Sequence, residues 1–422
     1  MNYLVSKLAN GVTVATATMP QMESVTLGIW VGVGGRHEPE PICGISHFIE
    51  HMLFKGTKKR NAAEISQAVE GIGGYLNAFT SEENTCYFAK ASADHFETVL
   101  DVLVDMYLNA LFSAGDIKKE RGVIKEELAM YLDQPQHHVQ ELLSATLWPD
   151  QPLGRSLTGT TKSLDRIARE NILQYKRQRY VGRNTIVAAA GRCEHADVVC
   201  HVERMLGKLE RGTSPRFVPA RNGHRGPHIT LQKKETEQTH LAMGFHSCSR
   251  LDPRRFKLKL LSVVLGENMS SRLFQAIREK HGLAYSVHTS TSYFADAGAF
   301  IISAGLDRKQ LPKTIRLVIA ELGRIARRPP GESELRRAKD YAIGQMKLSL
   351  ESTTNQMMWV GEHLLGYGEI HDPQEIIRQV ESVTPEDVSR EAKEIFSSGN
   401  LNLALVGPIT DRKAVESLLR LP

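Results

Sequence analysis

The sequence has no long hydrophobic run. Its longest apolar stretch without a charged residue, 297–306, has ten residues, far fewer than the roughly 20 that a membrane-spanning helix needs. Residues 1–7 contain neither the apolar core of a signal peptide nor an arginine-rich amphipathic presequence. We therefore expect no membrane association and, for a chain that starts at residue 1, no export by a signal peptide.

Cysteine is scarce, odd in number and never spaced as CxxC. The five cysteines are Cys43, Cys86, Cys193, Cys200 and Cys248. This pattern is typical of reduced thiols in a cytosol-like compartment, so we expect a cytoplasmic protein. Cys193, His195, Cys200 and His201 lie close together in sequence. Their spacing matches no zinc motif, and we do not expect a metal there.

A strong excess of one charge is also missing. The chain has 53 basic and 48 acidic residues, a net charge of +5, and 41% of its residues are hydrophobic. This composition is that of a globular protein and excludes disordered, collagenous and coiled-coil chains. Basic clusters at 58–60 and 327–328 leave a nucleic-acid-binding protein as an alternative. They lack interleaved aromatic residues and are more typical of a solvated surface, so we expect no nucleic-acid partner.

The two halves of the chain resemble each other. Residues 25–29 are similar to 241–245, and residues 184–191 are similar to 402–407. The glycines within these pairs, Gly28 and Gly244 in the first and Gly191 and Gly407 in the second, are both 216 residues apart. Because segments near both ends of a domain repeat with the same separation, we predict a duplicated fold. Chance similarity between buried strands is the alternative.

A basic stretch rich in proline and glycine separates the halves and reads as a linker. We predict an N-terminal domain at 1–212, a linker at 213–228 and a C-terminal domain at 229–422.

Strand-like and helix-like segments alternate irregularly. A predicted hairpin, 76–80 with 85–89, lies between segments of helical pattern, such as 95–112 and 117–131. This mixture predicts an α+β fold with two duplicated α/β-layer domains and mixed, largely antiparallel sheets, not a doubly wound parallel sheet. The glycine-rich segment 32–35 is incomplete as a phosphate-binding loop and is more typical of a turn.

The clearest chemical signal is the sequence HFIEH at 47–51. It lies in a predicted helix, 45–55, whose apolar residues recur on one stripe. His47, Glu50 and His51 project from the other side. Two histidines four residues apart on a helix can hold one zinc ion, and the order H-x-x-E-H is that of inverted zincins. A solvated polar helix face is the alternative.

A zinc site needs a further protein ligand, and the predicted helix 117–131 offers one. Glu120 and Glu127 project into its apolar stripe, whereas Glu126 points away. Buried carboxylates are costly unless a cation receives them. We therefore predict Glu127 as the third ligand and Glu120 as a residue that orients a ligand histidine. Salt bridges to Arg121 or Lys125 are the alternative.

These residues resemble a known family. The pattern at 47–51, followed by Glu127, is similar to that of the pitrilysin and mitochondrial-processing-peptidase family. Segments 76–81, 153–160 and 271–286 resemble further recurring segments of the family, in the same order. The resemblance implies an inverzincin peptidase with two α+β domains per chain, of the short-chain, processing-peptidase-like subfamily, and suggests a bacterial source.

The resemblance also implies a mechanism and one Zn²⁺ per chain. Glu50 is expected to act as general base toward a zinc-activated water, while Arg278 and Tyr285 bind the substrate carbonyl. The segment 76–80 is expected to hold the peptide by strand addition, through Asn77, Ala78 and Phe79. Because such pairing reads backbone, we expect a zinc-dependent metalloendopeptidase acting on extended or unfolded peptides.

The chain carries both the metal motif and the motif of Arg278 and Tyr285. The resemblance therefore suggests a homodimer with two composite sites, and a heterodimer with a related subunit is the alternative. A non-catalytic or regulatory subunit of such a heterodimer is the alternative function. The intact metal motif argues against it.

Overall fold

The computed structural model describes residues 2–222 and 226–421. Residues 223–225 of the predicted linker, and the two terminal residues of the predicted domains, lie outside the described part. The chain forms two compact units. The first consists of Met1–Leu128, Arg155–Val218 and Lys347–Ile370, and the second of Ala129–Gly154, Pro219–Met346 and His371–Pro422.

Each unit is built on one sheet. The strands of the first sheet are β1 (Tyr3–Lys7), β2 (Thr13–Thr18), β3 (Ser24–Val31), β4 (Tyr75–Thr80), β5 (Thr85–Ser92) and β6 (Thr185–Gly191). The strands of the second sheet are β7 (His228–Lys233), β8 (Thr239–Ser247), β9 (Ala284–Tyr293), β10 (Gly298–Leu306) and β11 (Leu401–Gly407).

Helices surround both sheets. Those that begin before the linker are α1 (Ile45–Leu53), α2 (Ala62–Glu70), α3 (Phe96–Asn109), α4 (Ala114–Asp133), α5 (Pro135–Leu147), α6 (Thr161–Arg166), α7 (Arg169–Arg179) and α8 (His195–Leu206). Those that follow it are α9 (Arg255–Gly266), α10 (Leu311–Arg327), α11 (Glu332–Ser349), α12 (Thr353–Tyr367), α13 (Pro373–Ser382), α14 (Pro385–Ile395) and α15 (Arg412–Glu416).

The two sheets share one topology. The first has the order β1-β2-β6-β3-β5-β4 and the second the order β7-β11-β8-β10-β9. Without β1, the orders correspond strand for strand. The β2–β6 and β11–β7 pairs are parallel, and the other pairs are antiparallel. The predicted fold class, two duplicated α+β layers with mixed and largely antiparallel sheets, is therefore confirmed.

Small residues line one face of each sheet. On the first sheet, Gly28 and Ala188 face α12, and a Cβ at Gly28 would lie 2.3 Å from the Met357 sulfur. On the second sheet, Ala242 and Gly244 face α5 in the same way. The matched glycines of the two halves thus have one role, which is to let a helix approach the sheet closely.

The covering helices come from the opposite halves of the sequence. Helix α12 lies between β10 and β11 of the second sheet in the chain but belongs to the first unit, and α5 precedes the linker but belongs to the second. The predicted boundaries at 1–212, 213–228 and 229–422 separate the two sheets along the chain, but they do not separate these helical segments.

The opposite face of the first sheet is also apolar. Leu27 and Ile29 of β3 are buried there in one core together with residues of α1 and α3. Because α1 packs beside β4, this core fixes the place of the HFIEH segment relative to the edge of the sheet. In the described part of the chain, no helix has both the length and the apolar character that crossing a membrane requires.

The packing of α12 against the first sheet gives a testable prediction. A Cβ at Gly361 would lie 2.2 Å from ring atoms of the buried Trp30. We expect Gly361→Ala to reduce the free energy of unfolding by about 1–3 kcal/mol, because the helix must move off the sheet. Gly122→Ala is the control, since Gly122 lies within α4 with open space around it. It should stabilise by up to about 1 kcal/mol through helix propensity alone. Equal gains in urea unfolding for both variants would contradict this packing.

Candidate metal centre

Helix α1 presents the histidines opposite its buried side. It spans Ile45–Leu53, two residues shorter than predicted, and the residues of its apolar stripe are buried: Ile45, Phe48, Ile49, Met52 and Leu53. His47 and His51 keep 12% and 21% of their side chains exposed. Their rings lie 4.5 Å apart between centroids.

Helix α4 brings a carboxylate to both rings. The Glu127 Oε2 lies 3.7 Å from His47 Nε2 and 3.4 Å from His51 Nε2. Among the described residues, His47, His51 and Glu127 are the one group whose histidine, cysteine or carboxylate donor atoms converge as metal ligands would, all within 4.8 Å of one another. Glu126, the preceding residue, is exposed.

The second carboxylate of α4 supports His51. Glu120 is 2% exposed, and its Oε1 accepts a hydrogen bond of 2.9 Å from His51 Nδ1. Its Oε2 lies 2.9 Å from the Lys55 ammonium. With the proton of a neutral His51 on Nδ1, the lone pair of Nε2 faces Glu127. Glu120 therefore lies where it can orient His51 as a ligand.

The cations considered as alternative partners of these carboxylates bind elsewhere. The Arg121 guanidinium donates to the carbonyl oxygens of Leu164 and Ile167. The Lys125 ammonium pairs with Asp165 at 2.6 Å. Neither forms the salt bridge that the sequence left open, while Lys55, two residues beyond the end of α1, does pair with Glu120.

Glu50 lies between the histidines and the edge of the sheet. The Thr80 hydroxyl, at the end of β4, donates to Glu50 Oε2 at 2.5 Å. Strand β4 pairs with β5 along one side, and within the described residues it is the last strand of its sheet. Asn77, Ala78 and Phe79 lie on this edge strand, so the predicted peptide-binding segment borders the Glu50 carboxylate.

Burial and charge set the protonation of the site. Burial, reinforced by the nearby His51, lowers the pKa of His47 to about 4, which keeps its lone pair available at neutral pH. Burial also acts against a charge on His51, but hydrogen bonds to Glu127 and Glu120 outweigh it and raise that pKa. Burial raises the pKa of Glu50, although the Thr80 hydrogen bond opposes this shift.

The donor set suits zinc. Two imidazole nitrogens and one carboxylate oxygen are ligands that zinc prefers, and a catalytic zinc has three protein ligands with one position open. A metal ion bound between His47, His51 and Glu127 would be coordinated by both imidazoles and by the Glu127 carboxylate. Without a metal, this carboxylate lies against two partly buried histidine rings.

Arg278 and Tyr285 belong to the second unit. Arg278 lies in a π-helical turn, Phe274–Glu279, and Tyr285 lies on β9, an edge strand of the second sheet. The Arg278 guanidinium lies 5.2 Å from the centre of the Tyr285 ring, which is 75% exposed. The two side chains are thus neighbours on an accessible surface.

The other candidate clusters have local partners. His195 lies within hydrogen-bond distance of Ser6 and Thr16 rather than beside Cys193 or Cys200. In the basic cluster at 58–60, the Lys59 and Arg60 side chains pair with Asp101. These contacts do not favour a second metal site or a nucleic-acid surface.

Sequence reasoning missed three residues around the site: Glu38, Lys55 and Thr80. Lys55 follows His51 by four residues, so helical spacing could have identified it. Thr80 was placed on the edge strand but not connected to Glu50. The Glu38 carboxylate accepts hydrogen bonds from the backbone at the start of α1, a contact with no sequence signal beyond an acidic residue upstream of a helix.

Comparison with family models matches both halves of the chain. Residues 13–161 match the model described as "Insulinase (Peptidase family M16)". Residues 166–341 match the model described as "Peptidase M16 inactive domain". The residues that converge on α1 and α4 therefore all lie in the first match.

Similar proteins span nearly the whole chain. A protein of Streptomyces coelicolor named an uncharacterized zinc protease is 36% identical over 96% of this chain and 90% of its own length. A Bacillus subtilis protein with the same description is 37% identical over 94% and 97%. The crystal structure of a protease from Helicobacter pylori superposes with a TM-score of 0.90 at 21% identity, covering 96% of this chain and 99% of that one. This last likeness shows the fold.

The helix register around Glu127 gives a second prediction. Glu127→Gln should release zinc, because an amide oxygen replaces an anionic ligand, whereas the exposed neighbour in Glu126→Gln should leave zinc binding unchanged. Zinc content after gel filtration, measured by atomic emission, checks both variants. Retention of zinc by Glu127→Gln together with loss from Glu126→Gln would show that the wrong face of α4 has been assigned.

Proposed function

This chain belongs to the insulinase family of peptidases, M16, and we propose that it is a zinc-dependent endopeptidase that hydrolyses extended or unfolded peptides. One observation carries the proposal. His47, His51 and Glu127 converge as a metal-ligand set, and Glu50 projects beside them from the same helix.

His47, His51 and Glu127 would hold one zinc ion per chain, with Glu120 orienting His51. Zinc, when bound, supplies a Lewis acid and lowers the pKa of a water to roughly 7. The Glu50 carboxylate takes a proton from the attacking water and later returns it to the leaving amine. The Thr80 hydroxyl donates a hydrogen bond to Glu50 Oε2 and so fixes the direction in which the carboxylate points.

The substrate lies along strand β4 in this proposal. An edge strand offers backbone groups to an added strand, and such pairing reads the backbone rather than particular side chains. Asn77, Ala78 and Phe79 present this edge, and Thr80 connects it to Glu50. The arrangement favours peptides that are already extended, because folded substrates have no free strand to add.

The intact metal-ligand set argues against the alternative of a non-catalytic or regulatory subunit. Such a subunit has no need to keep His47, His51 and Glu127 converging as metal ligands beside Glu50. The test is digestion of a mixed peptide library by the purified protein, with and without a zinc chelator, and mass spectrometry of the products. Chelator-sensitive internal cleavage supports the proposal, and zinc-loaded protein without cleavage contradicts it.

The role of Glu50 gives a third prediction. Glu50→Gln should keep zinc but reduce kcat by at least about 100-fold, because the variant lacks only the general base. Zinc content and kcat on a cleaved library peptide are measured on the same preparation. Glu126→Gln is the matched control, an exposed Glu-to-Gln change on the other helix. Full turnover by Glu50→Gln would refute the assigned role.

We further propose that the active form is a homodimer with composite sites. The metal residues of one chain would work with Arg278 and Tyr285 of a second chain, which would bind the substrate carbonyl. Arg278 and the exposed Tyr285 ring lie side by side, as two groups that bind one substrate would need to do. A heterodimer with a related subunit is the alternative.

Subunit mixing provides the fourth prediction. Glu50→Gln and Tyr285→Phe chains should each be inactive alone. After exchange, each mixed dimer should regain one working site, because its intact metal half and intact tyrosine half come from different chains. Native mass spectrometry establishes that exchange has occurred. Mixed dimers without activity would exclude shared sites.

A further inference from the structure

A short loop, residues 34–38, contacts both the metal-bearing helix α1 and the edge hairpin of the first sheet. The hairpin consists of β4, the turn at 81–84 and β5. The loop residues 34, 35, 36 and 38 are buried. None of them is a candidate ligand or base, yet the loop contacts both structures that carry the proposed chemistry.

One end of the loop caps α1. The Glu38 side chain accepts the Gly44 N–H at 2.6 Å on Oε2 and the Ser46 N–H at 2.7 Å on Oε1. N–H groups in the first turn of a helix have no acceptor within the helix, and a carboxylate there is favoured by the helix dipole. His47 follows Ser46 directly, so Glu38 fixes the helical turn that presents His47.

The buried cap lies beside a partly exposed cation, Arg155. Glu38 is 5% exposed, and burial raises its pKa to about 7 even though the N–H groups of Ser46 and Gly44 and the charge of Arg155 act in the opposite direction. The Arg155 guanidinium also donates to the Glu38 carbonyl oxygen at 3.3 Å. Arg155 belongs to the recurring segment 153–160, which thereby gains a structural role beside the metal helix.

The other end of the loop binds the hairpin turn through hydrogen bonds and an ion pair. The Gly35 N–H donates to the Ser81 carbonyl at 3.0 Å, and the Arg36 N–H donates to the Glu82 carbonyl at 2.9 Å. The Arg36 guanidinium pairs with Glu83 at 2.6 Å, and its side chain is 0% exposed. A Cβ at Gly34 would lie 2.0 Å from the Ser81 oxygen, so a glycine is required for this approach.

The linker covers the arginine. The Phe217 ring centre lies 3.8 Å from the Arg36 guanidinium carbon, and the Val218 carbonyl accepts from Arg36 Nη2 at 3.2 Å. Exclusion of water strengthens the Arg36–Glu83 ion pair, since charges interact more strongly at low dielectric. The hairpin turn is therefore held at a fixed place relative to the loop.

These contacts close a ring around the candidate base. Thr80 immediately precedes Ser81, and its hydroxyl donates to Glu50 on α1. The ring passes from α1 to Glu38, along the loop to the hairpin turn, through Thr80 to Glu50, and so back to α1. In a closed ring, loosening one contact shifts the others.

We propose that Arg36 and Glu38 are positioning residues that set the Glu50–Thr80 contact by holding α1 and the edge hairpin in register. The inference rests on the proposed function, because it concerns the base and the peptide-binding edge. Neither residue touches the reacting atoms. Each acts through the loop, Arg36 on the hairpin and Glu38 on the helix.

A double-mutant cycle on the full chain tests the role of Arg36. Arg36→Met should lower kcat of the zinc-loaded enzyme by about 10-fold to 100-fold, since small misplacements of a catalytic group have effects of this size. In a Thr80→Val background, where the contact is already lost, the same change should cost less than about 3-fold. If Arg36→Met fails to fold, Arg36→Lys replaces it, because it keeps the charge and loses the planar fork.

Two outcomes of the cycle decide the matter. Strong coupling between Arg36 and Thr80 supports the proposal, while equal losses in both backgrounds mean that Arg36 only stabilises the fold and overturn it. Arg192→Met is the control, because Arg192 forms an exposed ion pair with Glu23 in the same unit. It should leave kcat unchanged in both backgrounds.

Hydrogen exchange of the metal-free protein tests Glu38 without reference to activity. Glu38→Gln should speed exchange at the Gly44 and Ser46 amides and, through the ring, at the Gly35 and Arg36 amides. Faster exchange at Gly44 and Ser46 alone would show that Glu38 only caps α1, and it would overturn the proposal. Because this readout needs no substrate, it still decides the role of the loop if the wild-type protein proves inactive and the proposed function fails.

Discussion

The site depends on charge balance between two helices. Helix α4 turns Glu120 and Glu127 toward the histidines of α1, and Glu120 is almost fully buried. A buried carboxylate is costly unless a cation or several donors receive it. Lys55 and His51 meet this need for Glu120. Glu127, whose side chain is 21% exposed, lies against both histidines as a third ligand of a divalent metal would.

The duplicated fold supplies what that site needs. Each sheet has one face on which small residues meet a helix from the other half of the sequence, and a second apolar face. In the first unit, the latter face and its helices place α1 beside β4. The family model that matches residues 166–341 is described as an inactive domain, and the candidate metal ligands all lie outside that match.

Much of the site could be predicted from the sequence, because its ligands lie on two helices. Helical periodicity alone separated His47, Glu50 and His51 from the apolar stripe of α1, and Glu127 from Glu126 on α4. The repeated segments around Gly28 and Gly244 predicted the duplication. The residues that only tertiary packing brings together were beyond such reasoning. Thr80 and Glu38 act across different elements, and a small-residue sheet face does not say which helix covers it, so the placement of α5 and α12 could not be predicted.

X-ray absorption at the zinc edge of the purified protein tests the central claim most directly. The account predicts one zinc per chain with imidazole nitrogen and carboxylate oxygen ligands at about 2.0–2.2 Å and no sulfur. Sulfur scattering at about 2.3 Å would instead indicate cysteine ligands. That result, or a purified protein that binds no zinc at all, would contradict the assignment of His47, His51 and Glu127.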